Sequence, residues 1–142
     1  MQALEQAISD ARARYTAANP RSMEADRNAE RFMPGGNTRS VLHYDPFPLT
    51  MVDGKGADLI DLDGHRYADF LCEYSAGLFG HSDKIIRAAV HEALDRGIAM
   101  GAPTHYAREL AGLLCARLPS IKQLRFCNSG TEANLMALTT AR

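Results

Sequence analysis

The chain has no tryptophan, and of its 142 residues only three are cysteine and three lysine. Each scarcity excludes something. Cys72, Cys115 and Cys127 are odd in number, widely spaced and free of any Cys-x-x-Cys pair. That argues against a zinc site or a disulfide framework and for reduced thiols in a cytoplasmic compartment. All three read as small buried hydrophobes. The histidines His43, His65, His91 and His105 show no metal-ligand spacing, and His81 reads as structural. No apolar run approaches the ~18 residues needed to span a membrane. The opening MQALEQAISDARARY alternates charge with apolar residues and lacks the unbroken apolar stretch of a signal peptide. Neither sign of charge dominates: sixteen basic and seventeen acidic residues are interspersed for a net −1. No basic stripe points to nucleic acid, and no like-charge block points to a disordered tail. What is present is ordinary, 46% hydrophobic and 23% charged, and fits one modest soluble domain.

Along the chain, Leu4, Ala7, Ile8, Ala11 and Tyr15 fall at helical spacing and predict a helix over 2–18. Asn19-Pro20 breaks it. A second helix is expected from a Ser22 cap to about Met33, stopped by Pro34-Gly35-Gly36. NTRSVLHYDPFP is too rich in turn formers for a regular element. The period then changes to two. LTMV, ADLIDL and RYADFL predict a small antiparallel meander, divided by Asp53-Gly54-Lys55-Gly56 and by Asp63-Gly64. A glycine-spotted loop follows. Ser82 is expected to cap a helix carrying Ile86, Val90 and Leu94, ended by Gly97, and another helix runs from about Thr104 to Leu118. Finally QLRFCN reads as a strand and TEANLMALTTAR as a helix. One strand with no later partner does not make an α/β sheet. Either this pair docks on another chain, or the sequence is truncated.

The chemically informative stretch is Phe126-Cys127-Asn128-Ser129-Gly130-Thr131-Glu132-Ala133-Asn134. A strand feeds a Ser-Gly-Thr turn and a helix begins at once. The first amides of a helix have no internal partner and lie at the positive end of its dipole, a natural site for phosphate. Gly130 lets the backbone approach an anion, and the hydroxyls of Ser129 and Thr131 add donors. A second reading uses the same residues: Ser129-x-x-Glu132 fits a capping box that satisfies those amides with no ligand. Glu132 is assigned to the cap. A nucleotide P-loop is excluded, since the Gly-x-x-x-x-Gly-Lys spacing is missing.

NSGTEAN, between a strand and an apolar helix, resembles the phosphate-binding segment of class III pyridoxal-phosphate (PLP) aminotransferases. RFMPGGNTRSVLHYDPFPLTMVDGKGADLIDLDGHRYADF is similar to the N-terminal arm and meander of that class, particularly the glutamate-1-semialdehyde aminomutases and β-amino-acid aminotransferases. GHSDKIIRAAVHEAL resembles the helix that follows, although Asp83-Lys84 stands where the family has a proline. The resemblance runs from about Arg31 to the end. It implies an α/β protein carrying the N-terminal part of the fold type I PLP-dependent transferase fold. Residues 1–33 would be N-terminal helices, 34–80 the loop and antiparallel meander of the small domain, and 81–142 the incomplete start of the large PLP-binding domain.

By the same resemblance Ser129, Gly130 and Thr131 would bind the cofactor phosphate. Arg39 would hold the substrate carboxylate, for which a planar guanidinium is well shaped; a solvated loop arginine is its bland alternative. Tyr74 would sit at the mouth of the substrate pocket, or serve as a core or loop aromatic. The lysine that binds the cofactor aldehyde lies much later in this family, as do the aspartate at the pyridine nitrogen and the aromatic that stacks on the ring. Lys55, Lys84 and Lys122 all lack apolar surroundings that would lower an amine's pKa. The expectation is therefore an N-terminal fragment, inactive alone, of an enzyme exchanging an amino group between an amino acid and a keto acid, with a β-amino acid as the first substrate. The complete enzyme is expected to be a cytoplasmic homodimer with no nucleic-acid or membrane partner. The alternatives are a glutamate-1-semialdehyde 2,1-aminomutase and a non-catalytic binding or dimerising remnant.

Overall fold

The computed structural model describes residues 2–142. The chain divides into two compact units, Met1–Glu92 and Ala93–Arg142, with the division inside a helix.

In the first unit, α1 (Gln2–Ala18) and α2 (Pro20–Glu30) meet at Asn19. Proline at the first helical position suits α2, because that residue's N–H would have no intrahelical partner anyway. Ser22 is therefore not the cap. It lies inside the first turn, fully buried, and its hydroxyl accepts from the Thr50 amide at 3.3 Å. The cap comes from far along the chain: the Asp63 carboxylate accepts from the amides of Arg21 (2.8 Å) and Ser22 (2.9 Å). The Asp63-Gly64 turn of the meander thus closes the open end of α2. Tyr15 and Thr16 are part-buried on α1, and Tyr15 packs inward. Its ring lies 5.0 Å from that of Phe47, and its hydroxyl donates to the Phe47 carbonyl at 2.8 Å.

The meander forms as expected, with β1 (Met51–Lys55), β2 (Asp58–Asp61) and β3 (Arg66–Ala68) antiparallel in that order. Lys55 faces Asp58 across the first turn, and Leu59 faces Tyr67 across the second pair. Asp53-Gly54 is not the turn. Both residues belong to β1, beside an irregularity between Met51 and Asp53, and the chain reverses at Gly56-Ala57 with Gly56 at φ 59°. Glycine is needed again at Gly80, where φ is 78° and a Cβ would stand 2.7 Å from the Gly56 carbonyl oxygen. That close approach lets the His81 amide donate to the same carbonyl at 2.9 Å.

Helix α3 (Lys84–Asp95) is capped by Asp83 rather than Ser82: one Asp83 carboxylate oxygen accepts from the amides of Ile85 and Ile86, both at 2.9 Å. Ser82 instead accepts from the Gly56 amide at 2.9 Å, tying the loop to the first hairpin. In the second unit, α4 (His105–Arg117) stops two residues before Pro119, and α5 (Gly130–Ala141) follows an extended segment. The expected strand QLRFCN is not a strand here. Ladder bonds define a strand, and among the described residues the three meander strands make up the sheet.

Candidate functional site

Two places carry the residues singled out by sequence, one in each unit. In the first unit, residues 72–75 form a single turn in which Cys72, Glu73, Tyr74 and Ser75 all have positive φ, at 47°, 44°, 52° and 93°. Four successive non-glycine residues in the left-handed region are unfavourable by about 1–2 kcal/mol each and persist only where surrounding contacts impose them. Asp69 supplies those contacts. One of its oxygens accepts from the amides of Leu71 (2.9 Å) and Cys72 (3.0 Å), and the other meets His81 Nε2 at 2.8 Å. The Cys72 amide, more than any other group, holds the Asp69 carboxyl below its usual range, with Leu71 and His81 adding to it against the opposing effect of burial. His81, read from sequence as structural, is paired with Asp69.

The strained turn presents Glu73 and Tyr74 to a cavity of about 690 Å³, whose apolar wall includes Val41, Leu42, Tyr44 and Leu71. Asn37 also lines it, and its side-chain oxygen accepts from the Arg39 amide at 2.9 Å. Arg39 does not itself line the cavity; its half-exposed side chain reaches it through Glu73. Its Nη1 donates to the Glu73 carboxylate in an ion pair that joins the two cavity-lining segments. That hydrogen bond, reinforced by the carboxylate's charge, raises Arg39 above its ordinary value. Sequence reasoning named Arg39 and Tyr74 but not Glu73. Nothing local could pair two residues 34 positions apart. The adjacency of Glu73 to Tyr74 was the available signal.

In the second unit, Ser129 is the N-cap of α5, and its hydroxyl accepts from the Glu132 amide at 3.1 Å. The Glu132 carboxylate reaches back to the Asn128 amide at 2.8 Å. This is a capping box shifted by one residue. The first intrahelical bond is Ala133 N–H to the Ser129 carbonyl, so the amides of Gly130 and Thr131 precede the ladder. A Cβ on Gly130 would meet nothing within 4 Å, so the approach to those amides is open. Capping and anion binding are compatible. Ser129 uses a lone pair to accept from Glu132 and keeps its proton to donate. Two amides, two hydroxyls and a helix N-terminus suit a phosphate dianion.

The sequence from Ser40 to Arg142 matches the family model Aminotransferase class-III, which is well over half of the chain. The chain belongs to the class-III aminotransferases. Among relatives of this class-III chain, the beta-phenylalanine transaminase of Variovorax paradoxus is 56% identical over 139 residues, covering 98% of this chain and 32% of that protein. The glutamate-1-semialdehyde 2,1-aminomutase of Syntrophomonas wolfei is 36% identical over 125 residues, covering 86% of this chain and 29% of that protein. The crystal structure of the beta-phenylalanine aminotransferase from Variovorax paradoxus superposes with a TM-score of 0.92 at 56% identity, over 96% of this chain and 32% of that one. This class-III chain therefore spans about a third of the length of the relatives it matches. Its similarity to PLP-dependent transaminases agrees with the fold expected from the sequence. Among the described residues, no helix is long and apolar enough to cross a membrane, and no cluster of His, Cys, Asp or Glu can hold a metal. Lys55, Lys84 and Lys122 are all exposed.

Proposed function

We propose that this chain serves a PLP-dependent aminotransferase that exchanges an amino group between a β-amino acid and a keto acid, working as a cytoplasmic homodimer. The observation that carries the substrate class is Arg39, a guanidinium already engaged with the carboxylate of Glu73, which lines an apolar cavity. A site that holds one carboxylate there has the geometry to hold another. The apolar wall beside it suits an aryl or alkyl group, and Tyr74 flanks the opening. Identity favours the β-amino-acid reading over the aminomutase one, at 56% against 36–39%. Residues 34–80 would provide this pocket as part of the small domain, and 81–142 the start of the cofactor domain.

Ser129, Gly130 and Thr131 would hold the PLP phosphate through their amides and hydroxyls. When bound, PLP supplies the electron sink that makes the proton beside the substrate's amino group removable. The chain's own residues bind and orient: the α5 N-terminus anchors the anion, Glu132 fixes the turn that shapes the anchor, and Arg39 holds the substrate carboxylate.

The test uses the full gene product with β-phenylalanine as donor and 2-oxoglutarate as acceptor. Arg39→Ala should raise KM for β-phenylalanine by about ten- to a hundredfold, the loss expected for a charge-assisted contact. An unchanged KM would remove Arg39 from the substrate site. Absence of turnover, together with a tight stoichiometric protein partner, would favour the non-catalytic binding module.

A further inference from the structure

The Arg39–Glu73 pair carries a consequence for selectivity, which rests on the reading of Arg39 as the carboxylate anchor. A guanidinium poised for an acid is already neutralised by an acid of the same chain. The partner is not a mobile surface residue that happens to be near. Glu73 lies in the left-handed turn that Asp69 holds through Leu71, Cys72 and His81, so its backbone is fixed. Arg39 is fixed from the other side by the Asn37 side chain on its amide. Both side chains are about half exposed, at 50% and 47%, so an incoming solute can reach the pair. Glu73 also lines the cavity, so anything entering meets it.

We propose that Glu73 is a built-in competitor for the substrate carboxylate, a specificity-determining residue that holds Arg39 until an acid displaces it. An occupant with a carboxylate at the rim exchanges one charge-assisted pair for another, and the freed Glu73 turns to solvent. An occupant with no acid there leaves the pair intact, so the site never contains an uncompensated cation. Glu73 therefore weakens binding of acids by the strength of one half-exposed ion pair and leaves neutral-tailed amines untouched. Pairs of this exposure correspond to about a two- to fivefold change in binding.

The experiment is a double-mutant cycle on Arg39→Ala and Glu73→Gln in the full gene product loaded with PLP. Two readouts are used: KM for β-phenylalanine and for 1-phenylethylamine, which lacks the acid, and calorimetric Kd for the inert acid 3-phenylpropanoate. Glu73→Gln should lower both KM for β-phenylalanine and Kd for 3-phenylpropanoate by about two- to fivefold, leave KM for 1-phenylethylamine where it was, and have no effect in the Arg39→Ala background. Glu73→Asp, which keeps the charge but draws it back from Arg39, should shift the same constants in the same direction, so a failure of one variant to fold does not decide the outcome. If Arg39→Ala weakens acid binding but Glu73→Gln leaves it unchanged or weakens it too, Glu73 only positions the arginine and the competitor role is wrong. If Arg39→Ala has no effect on either acid, the anchor reading fails, and the competitor falls with it.

Discussion

At the scale of single residues, Asp61 is a tightly held group of the first unit, with 1% of its surface exposed. Its carboxylate accepts from the His65 amide (2.7 Å) and the Tyr67 hydroxyl (2.8 Å), and faces His65 Nδ1 at 2.9 Å. Burial pushes the Asp61 carboxyl up, but these partners together outweigh it and bring it down to about 2. Burial, and then the same carboxylate, push Tyr67 up to about 12. A depressed carboxyl stabilises the folded state above its unfolded pKa and loses that contribution as pH falls through its folded one. The window here is roughly pH 4 down to 2, and the contribution at neutral pH is about 2–3 kcal/mol. Asp61→Asn in the full gene product should therefore unfold at lower urea at pH 7 and lose less stability than the wild type between pH 4 and 2. Parallel curves over that interval would show that Asp61 is not the group responsible.

At the scale of elements, the turn at residues 72–75 depends on Asp69 more than on its own sequence. Removing the carboxylate in Asp69→Ala leaves two amides and a histidine nitrogen without their acceptor. The left-handed conformation should then relax. Amide exchange at 72–76 should accelerate on the order of tenfold while β1 and β2 keep their protection. Uniform acceleration across the meander would mean that Asp69 holds the whole sheet rather than the turn. Helix boundaries illustrate a related point. Ser129 and Asp83 cap α5 and α3 through residues two and three positions further along the chain, and such local caps are legible in sequence; the choice of Ser82 over Asp83 missed by one position. The cap of α2 is different. Asp63 reaches it from 41 and 42 positions away, a contact no local rule contains.

At the scale of the whole molecule, the notable feature is how little apolar surface is covered. Among the described residues Phe47 is the one buried apolar side chain, while Ile86, Val90 and Leu94 on α3 and Leu110 and Leu113 on α4 remain about half exposed. Chains of this length ordinarily bury a larger core. Expressed alone, these 142 residues should bind a hydrophobic dye and melt without a cooperative transition. A sharp calorimetric transition with no dye binding by the isolated chain would overturn this.

What the sequence determined by itself was everything carried by nearest neighbours and short periods. The helical spacing of α1, the Asp63-Gly64 turn of the meander and the Ser-Gly-Thr start of α5 follow from local backbone preferences, and NSGTEAN with its flanks was enough to indicate the class-III family. What only the tertiary structure decided was which distant groups meet. Arg39 faces Glu73, Asp63 closes α2, and Asp69 with His81 imposes a left-handed turn on four residues that would not choose it. The reason is physical. Local preferences amount to fractions of a kcal/mol per residue and are written in adjacent letters. The pairing of charges across dozens of residues depends on where the packed elements place them, and no short window of the chain contains that information.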